Sequence, residues 1–253
     1  MSKVEPGDFY FSDGTFADKN DGLTPEQANA CIGIVFFVKQ HDSDKSDYSN
    51  TGIGQEKCNG YVVALTDVHT GSYDRLNWEN DPNDKYDRIV GASTLSDDWN
   101  GYYNCMKIHE FVDNNTADGW EMKHFPAALA CETYGNRKLD ENGEVTNEYS
   151  WQQPFSAPDN TSGWFLPSAG QLTYIYYNKA LISSQMDMVK SCMSNDKLKK
   201  YIQWFSAKDY SSNLYWSSSE KDGYNAYSVF FGIGRVYSSD KRRTYGVRAV
   251  LAF

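Results

Sequence analysis

The residues with the clearest chemistry in this 253-residue chain lie near its C-terminal end, and their chemistry is recognition. Between Lys221 and Gly246 the chain is crowded with Tyr, Ser, Gly, Asp and Arg. Tyr supplies large contact area at low entropic cost, Ser and Gly adapt, and Arg anchors, as in an antibody paratope. Five cations (Lys221, Arg235, Lys241, Arg242, Arg243) accompany two carboxylates (Asp222, Asp240), a net of +3 in a chain of net charge −10. A basic, aromatic patch on an acidic protein reads as a binding surface. Alternation points Val229, Phe231 and Val236 inward and Tyr224, Phe230, Arg235 and Tyr237 outward. Exposed Phe230 and Ile233 among Tyr and Arg have hot-spot composition, and such apolar exposure is costly without a partner.

Other chemistries find less support. Asp42-x-Asp44-x-x-Asp47 lacks the alternate ligands, central Gly and closing Glu of a calcium loop, and reads as a solvated polar segment. His41, His69, His109 and His124 form no HxxxH or HExxH pair. The chain has no GxSxG, no phosphate-binding Gly loop and no dinucleotide fingerprint. Cys31, Cys58, Cys105, Cys131 and Cys192 are odd in number and lack any CxxC, against a disulfide framework or a zinc site. They read as small buried hydrophobes. A nucleophile at Cys105 or Cys131 would have to assemble in space. We therefore expect no enzyme, cofactor or metal. The acidic balance argues against nucleic-acid and anionic-membrane partners. The longest apolar run, Cys31 to Val38, is eight residues, too short to span a membrane. No apolar segment follows Lys3, so no signal peptide is expected in this chain.

The elements that must hold the tract are legible in part. Gly7–Phe16 alternates aromatics into an Asp13-Gly14 turn, a hairpin signal. Thr24-Pro25-Glu26-Gln27 caps a short helix that leads into a doubly buried strand, Cys31–Val38. Gly60–Val68 is its partner strand, with a polar loop from His41 to Lys57 between them. From His69 to about Gly119 no period is sustained, which predicts long excursions with little regular structure. Pro126 opens a helix through Tyr134, and Asn142-Gly143 tips a hairpin. Gly163–Pro167 is a short strand, followed by a capping box at Ser168-Ala-Gly-Gln171 and a helix over Leu172–Lys179. A second helix is predicted over Gln185–Phe205. Four strands close the chain: Tyr215–Ser219, Ala226–Phe231, Arg235–Ser238 and Tyr245–Phe253. Trp164 and Trp216 are expected in the core, Ser217–Ser219 to satisfy turn backbone, and Glu220 to fix the loop after it.

These residues carry a resemblance. Gly163-Trp-Phe-Leu-Pro-Ser-Ala-Gly-Gln-Leu172, Tyr215-Trp-Ser-Ser-Ser-Glu220, Ala226-x-x-Val229-x-Phe231, Gly234-x-Val236, Lys241 and Val247-Arg-Ala-Val250 resemble the C-terminal half of a C-type-lectin-fold domain. They are most similar to the variable proteins diversified by diversity-generating retroelements in gut bacteria and their phages. Gly7–Phe16 and Ile32–Phe36 resemble the N-terminal part of that group, while 69–160 is unmatched. In that family, adenine-directed rewriting of AAY codons leaves positions that cannot hold Lys, Glu, Gln, Met or Trp. The positions implied here are Asp222, Gly223, Tyr224, Tyr227, Ser228, Phe230, Gly232, Ile233, Arg235, Tyr237, Ser238, Ser239, Asp240, Arg242, Arg243, Thr244 and Tyr245. None is an excluded type, although the excluded types fill 49 of the 253 positions. One position departs: the family often has Trp where Tyr227 stands, so either the template differs or Tyr227 is scaffold. The calcium-dependent sugar triplets of C-type lectins are absent, and so are the C-terminal cysteines of related sulfatase-activating enzymes.

The resemblance implies an α+β chain of C-type-lectin fold, in the formylglycine-generating-enzyme-like subtype with long loop insertions. It would be one domain over 1–253, with 69–160 as a loop-rich insertion and 214–253 as the ligand-display region. The implied function is a ligand-binding display protein, a phage receptor-binding protein or cell-surface adhesin meeting a protein or glycan receptor. The alternatives are an undiversified carbohydrate-binding surface module and a structural fibre subunit.

Overall fold

The computed structural model describes residues 3–68, 75–85, 87–135, 152–205 and 213–253. The predicted hairpin forms: β1 (Phe9–Phe11) pairs with β2 (Phe16–Ala17) around the Asp13-Gly14 turn. Helix α1 (Pro25–Ala30) starts at the Thr24 capping box, where the Thr24 hydroxyl accepts from Gln27 N at 3.2 Å and Gln27 Oε1 accepts from Thr24 N at 2.9 Å. It delivers the chain into β3 (Cys31–Val38), which pairs with β4 (Gly60–Ala64). At Gly33 a Cβ would lie 2.3 Å from the Val62 side chain and 2.6 Å from Val63 O, so only glycine permits that approach.

The described residues between 75 and 119 are more regular than the sequence indicates. β5 (Leu76–Asn77) is followed by α2, a 14-residue helix over Gly101–Asn114. Its buried stripe is Gly101, Asn104, Cys105, Ile108 and Val112, helical in spacing, but two of the five are Gly and Asn. The periodicity was therefore invisible to an apolar count. α3 (Pro126–Glu132) opens at Pro126 as predicted, and the Asn142-Gly143 hairpin lies outside the described residues.

β6 (Trp164–Phe165) leads through a second capping box at Ser168 into α4 (Ala169–Tyr177). The continuous helix predicted over 185–205 is corrected to two. α5 (Lys179–Cys192) begins six residues earlier, and α6 (Asp196–Lys199) restarts after Asn195, whose side chain accepts from Lys197 N. Asn29 Oδ1 accepts from Ser194 N and Asn195 N, tying down the break.

The chain then runs β7 (Leu214–Glu220), β8 (Asn225–Phe230), β9 (Arg235–Asp240), β10 (Thr244–Tyr245) and β11 (Val250–Ala252). Six strands make one antiparallel sheet in the order β2-β1-β3-β4-β11-β6, with strands from both ends of the chain side by side. β7-β8-β9 form a second antiparallel sheet, and β10 pairs with β5. The single strand predicted over 245–253 is split because residues 246–249 cross from one sheet to another. Arg248 holds that crossing: it is fully buried, its Nε donates to Asp67 Oδ1 at 2.6 Å, and its Nη1 donates to Ala64 O at 3.0 Å. The architecture is α+β with antiparallel sheets.

Candidate functional site

The platform under the tract is β7, whose seven residues Leu-Tyr-Trp-Ser-Ser-Ser-Glu are all buried. Four of them are polar, and each has a partner. Ser217 Oγ donates to Tyr227 O at 2.7 Å, Ser218 Oγ accepts from Asn104 at 3.2 Å, and Ser219 Oγ accepts from Ala169 N at 2.9 Å. These serines tie β7 to β8, α2 and α4 within a strand that continues through Glu220 where the sequence indicates a turn, and Ser217 Oγ also accepts from Ser219 N at 3.3 Å at a register irregularity. Trp216 and Trp78 donate their indole N–H groups to Leu76 O at 2.7 Å and Ser217 O at 2.8 Å. Glu220 accepts from Val90 N and Gly91 N, so it anchors the 88–91 segment, and not the loop after it as the sequence indicates.

Lys241 closes the platform. Its Nζ lies 2.8 Å from Glu220 Oε1, 3.0 Å from Glu79 Oε2 and 2.7 Å from Arg88 O, and it stands over the Trp78 ring at 4.7 Å. All three ionic side chains are fully buried. One cation between two carboxylates leaves an excess negative charge. Burial accordingly pushes the Glu79 carboxyl up to about 7, with Lys241 opposing the shift. Glu79 Oε1 has no hydrogen-bond partner among the described residues.

On this platform β8 and β9 form a hairpin pairing Asn225 with Asp240, Tyr227 with Ser238, Ser228 with Tyr237 and Phe230 with Arg235. Opposed residues share a face, so Tyr227 and Ser238 lie on one side and Phe230, Arg235 and Tyr237 on the other. α4 covers the Val229/Val236 side, with Tyr176 against Gly234 and Phe231. The sequence-predicted residues therefore separate into three groups. Tyr224, Gly232, Ile233, Arg235, Ser238, Arg242, Arg243 and Thr244 are exposed. Asp222, Tyr227, Tyr237, Asp240 and Tyr245 are half-buried. Gly223, Ser228, Phe230 and Ser239 are buried.

Each buried position has a structural reason. Ser228 and Ser239 hydroxyls bond one another at 2.8 Å between the strands. Gly223 rests on backbone, where a Cβ would fall 2.6 Å from Asp87 O. Phe230, expected outward, is only 9% exposed. The hairpin's own turn folds back across its ring, with Gly232 so near that a Cβ would lie 2.6 Å from it, and Tyr237 meets it edge-on at 6.4 Å. Among the half-buried ones, Asp222 is a turn builder that accepts from Tyr224 N and Asn225 N at 2.9 Å. Arg242 chelates Asp240 and holds its carboxyl below the usual range. Arg235 lies over the Tyr237 ring at 5.3 Å, and Lys221 over Tyr227 at 5.7 Å. The apolar groups presented outward are Tyr224 and Ile233, at 59% and 58% exposure.

Residues outside the tract add little titratable chemistry. A cleft of about 620 Å³ beside Lys45, Ser93, Asp97, Asp98 and Tyr103 holds a buried carboxyl, Asp98, pushed up by burial. Its oxygens are already engaged by Asn100 N at 2.7 Å and Asn104 at 3.3 Å. Asp44 of the acidic loop accepts from Ser46, Tyr48 and Tyr61 hydroxyls, a structural carboxylate. All five cysteines are free thiols, four of them buried. His41 stacks on Trp99, His109 pairs with Glu132 at 3.0 Å, and His69 lies outside the described residues. No helix among the described residues is long and apolar enough to cross a membrane.

No family model matches the chain. Over 99% of its length the chain is 24% identical to a Bacteroides ovatus protein provisionally named fimbrium tip subunit Fim1C, of which it covers 46%. A crystal structure of a fimbrial protein from Bacteroides ovatus is similar at a TM-score of 0.58 and 17% identity, over 99% of this chain and 49% of that one. The chain thus spans about half the length of either protein. The structural likeness concerns the fold. Neither is named as a C-type lectin or a retroelement-diversified protein.

Proposed function

We infer that the chain is an adhesin-type module of a cell-surface fibre, with the exposed side of the β8–β9 hairpin and the turn after it as its receptor-contacting surface. The carrying observation is that a fimbrium tip subunit and a fimbrial protein each match almost the whole of this chain. The hairpin supports the reading physically. Its inner side is locked to β7 and α4, while Tyr224, Ile233, Arg235 and Arg243 stand outside on a rigid base. Tyr224 supplies contact area at low entropic cost, and a fixed scaffold spares the cost of ordering backbone on binding. The partner class is a protein or glycan receptor.

The test is a swap confined to exposed positions. Replacing Tyr224, Ile233, Arg235, Ser238 and Arg243 together should abolish adherence of chain-coated beads to receptor-bearing cells and leave the melting temperature nearly unchanged. Adherence that persists after the swap would remove the hairpin from the function. If the hairpin instead became protected only in polymerised fibres, the structural-subunit alternative would replace the adhesin reading.

Two finer readings remain proposals with their own support. For the C-type-lectin fold, the two motif segments that carry the resemblance meet in space: Ser218 N donates to Pro167 O at 2.8 Å and Ser219 accepts from Ala169. For retroelement diversification, the support is the absence of all five excluded residue types from the seventeen positions. Sequencing the surrounding DNA decides it. A near-copy of the 3′ end with adenines at those codons, beside a reverse-transcriptase gene, is the expected result, and its absence removes the reading.

A further inference from the structure

Away from the hairpin's exposed face, α4 presents Gly170, Thr173, Tyr174 and Tyr177, spaced i, i+3, i+4, i+7 and hence on one side. Across from them, Ser96, Asp97 and Trp99, with Val236 of β9, complete a cleft of about 340 Å³. Its walls are fixed before any ligand arrives. His41 stacks on Trp99 at 4.1 Å and 7°, and Tyr174 meets Trp99 edge-on at 5.3 Å. At Gly170 a Cβ would lie 2.4 Å from Asp98 O and 2.5 Å from Asp97 O, so glycine lets α4 sit directly on that loop. Gly170 N and Ser168 Oγ both donate to Asp98 O, at 2.9 and 2.6 Å. Yet Tyr177, whose ring meets that of Tyr176 at 5.4 Å and 76°, is 72% exposed, a large aromatic side chain mostly in water.

We propose that this cleft is a second binding site, which takes one neutral pyranose ring of a glycan. The proposal rests on the reading of the chain as a ligand-binding module, and it deepens that reading by naming a ligand class. The lining decides the class. Among the described residues no cation lines the cleft, so a carboxylated, sulfated or phosphorylated ligand finds no counter-charge there. The ring face of Tyr177 attracts the partly positive C–H groups of a sugar. Asp97 accepts from sugar hydroxyls, and Ser96 donates or accepts; Thr173 already donates to Ala169 O and so serves as an acceptor. The volume is near the low end for ligand clefts, about 300–1,000 Å³. That admits a sugar ring and excludes a helix.

The experiment is saturation-transfer NMR on the whole chain with methyl β-D-glucopyranoside, methyl β-D-galactopyranoside and methyl α-D-mannopyranoside. At least one should bind saturably. Tyr177→Ala should weaken it by about tenfold or more and Asp97→Asn by about fivefold, the scale of one lost stacking or hydrogen-bond contact. Both positions are exposed, so amide spectra should show intact folds. Arg243→Ala on the hairpin should leave sugar binding unaltered. Absence of saturable binding by all three sugars overturns the proposal, as does binding that survives Tyr177→Ala. Survival in Tyr177→Ala with loss in Arg243→Ala would place the sugar on the hairpin, sinking the cleft and keeping the adhesin reading.

Discussion

Strand β7 and the outer side of the β8–β9 hairpin are similar in polarity and opposite in role. β7 carries three serines and a glutamate, all buried; the hairpin and its flanking turns carry Tyr, Arg and Ser, of which Tyr224, Arg235, Ser238 and Arg243 are exposed. What separates them is hydrogen-bond satisfaction. Each β7 polar group meets a partner from another element, whereas Tyr224, Ile233 and Arg243 reach away from the scaffold. Buried polar groups are tolerated only when paired, and once paired they fix geometry. Scaffold and exposed tract residues here are thus distinguished by partners, and hydropathy does not sort them.

The largest effect should come from Lys241→Ala, which leaves Glu79 and Glu220 buried together without their cation. Loss of one partner from a buried ionic cluster costs about 3–5 kcal/mol. Urea unfolding should show a loss of that size, and a loss of only a few tenths would mean that the cluster is solvated. Ser219→Ala should cost less, about 1–3 kcal/mol, since it orphans Ala169 N at the start of α4. An unchanged midpoint would mean that the hydroxyl ladder is not what docks α4.

Glu79 sharpens the contrast through pH. Its folded carboxyl titrates near 7, above the ordinary 4.5, so the folded state holds the proton more tightly. The linked stabilisation is fully present below about pH 4.5 and is lost as pH rises through about 7. Glu79→Gln should flatten that part of the stability–pH curve relative to the parent. Parallel curves would show that Glu79 stays ionised throughout. The smallest effects belong to the hairpin exterior. Tyr224→Ser and Ile233→Ser should each change stability by no more than about 0.5 kcal/mol, while reducing adherence. A large stability loss at either would make that residue scaffold.

Much of the fold was legible where local chemistry decides it. The capping boxes at Thr24 and Ser168, the Asp13-Gly14 hairpin and the doubly buried Cys31–Val38 strand all form as read. α2 was missed because its contact face uses Gly101 and Asn104, which pack through close approach and hydrogen bonding. Of the candidate site, the tract and its two edges were legible, but its inner and outer members were not. Phe230 lies on the predicted face and is nevertheless covered, because the turn at Gly232 folds over it. The α4 cleft has one signature in the sequence, the helical spacing of Gly170, Thr173, Tyr174 and Tyr177.

By itself, the sequence determined the local elements and the unusual composition of residues 221–246, because caps, turns and alternation act over a few residues. Only the tertiary structure decided which polar groups are scaffold. Glu79 and Glu220 are far apart in the chain and meet at Lys241; Trp99 and Tyr177 face one cleft from separate elements. Burial and pairing arise from such long-range contacts, and no local pattern encodes which partner a side chain will find.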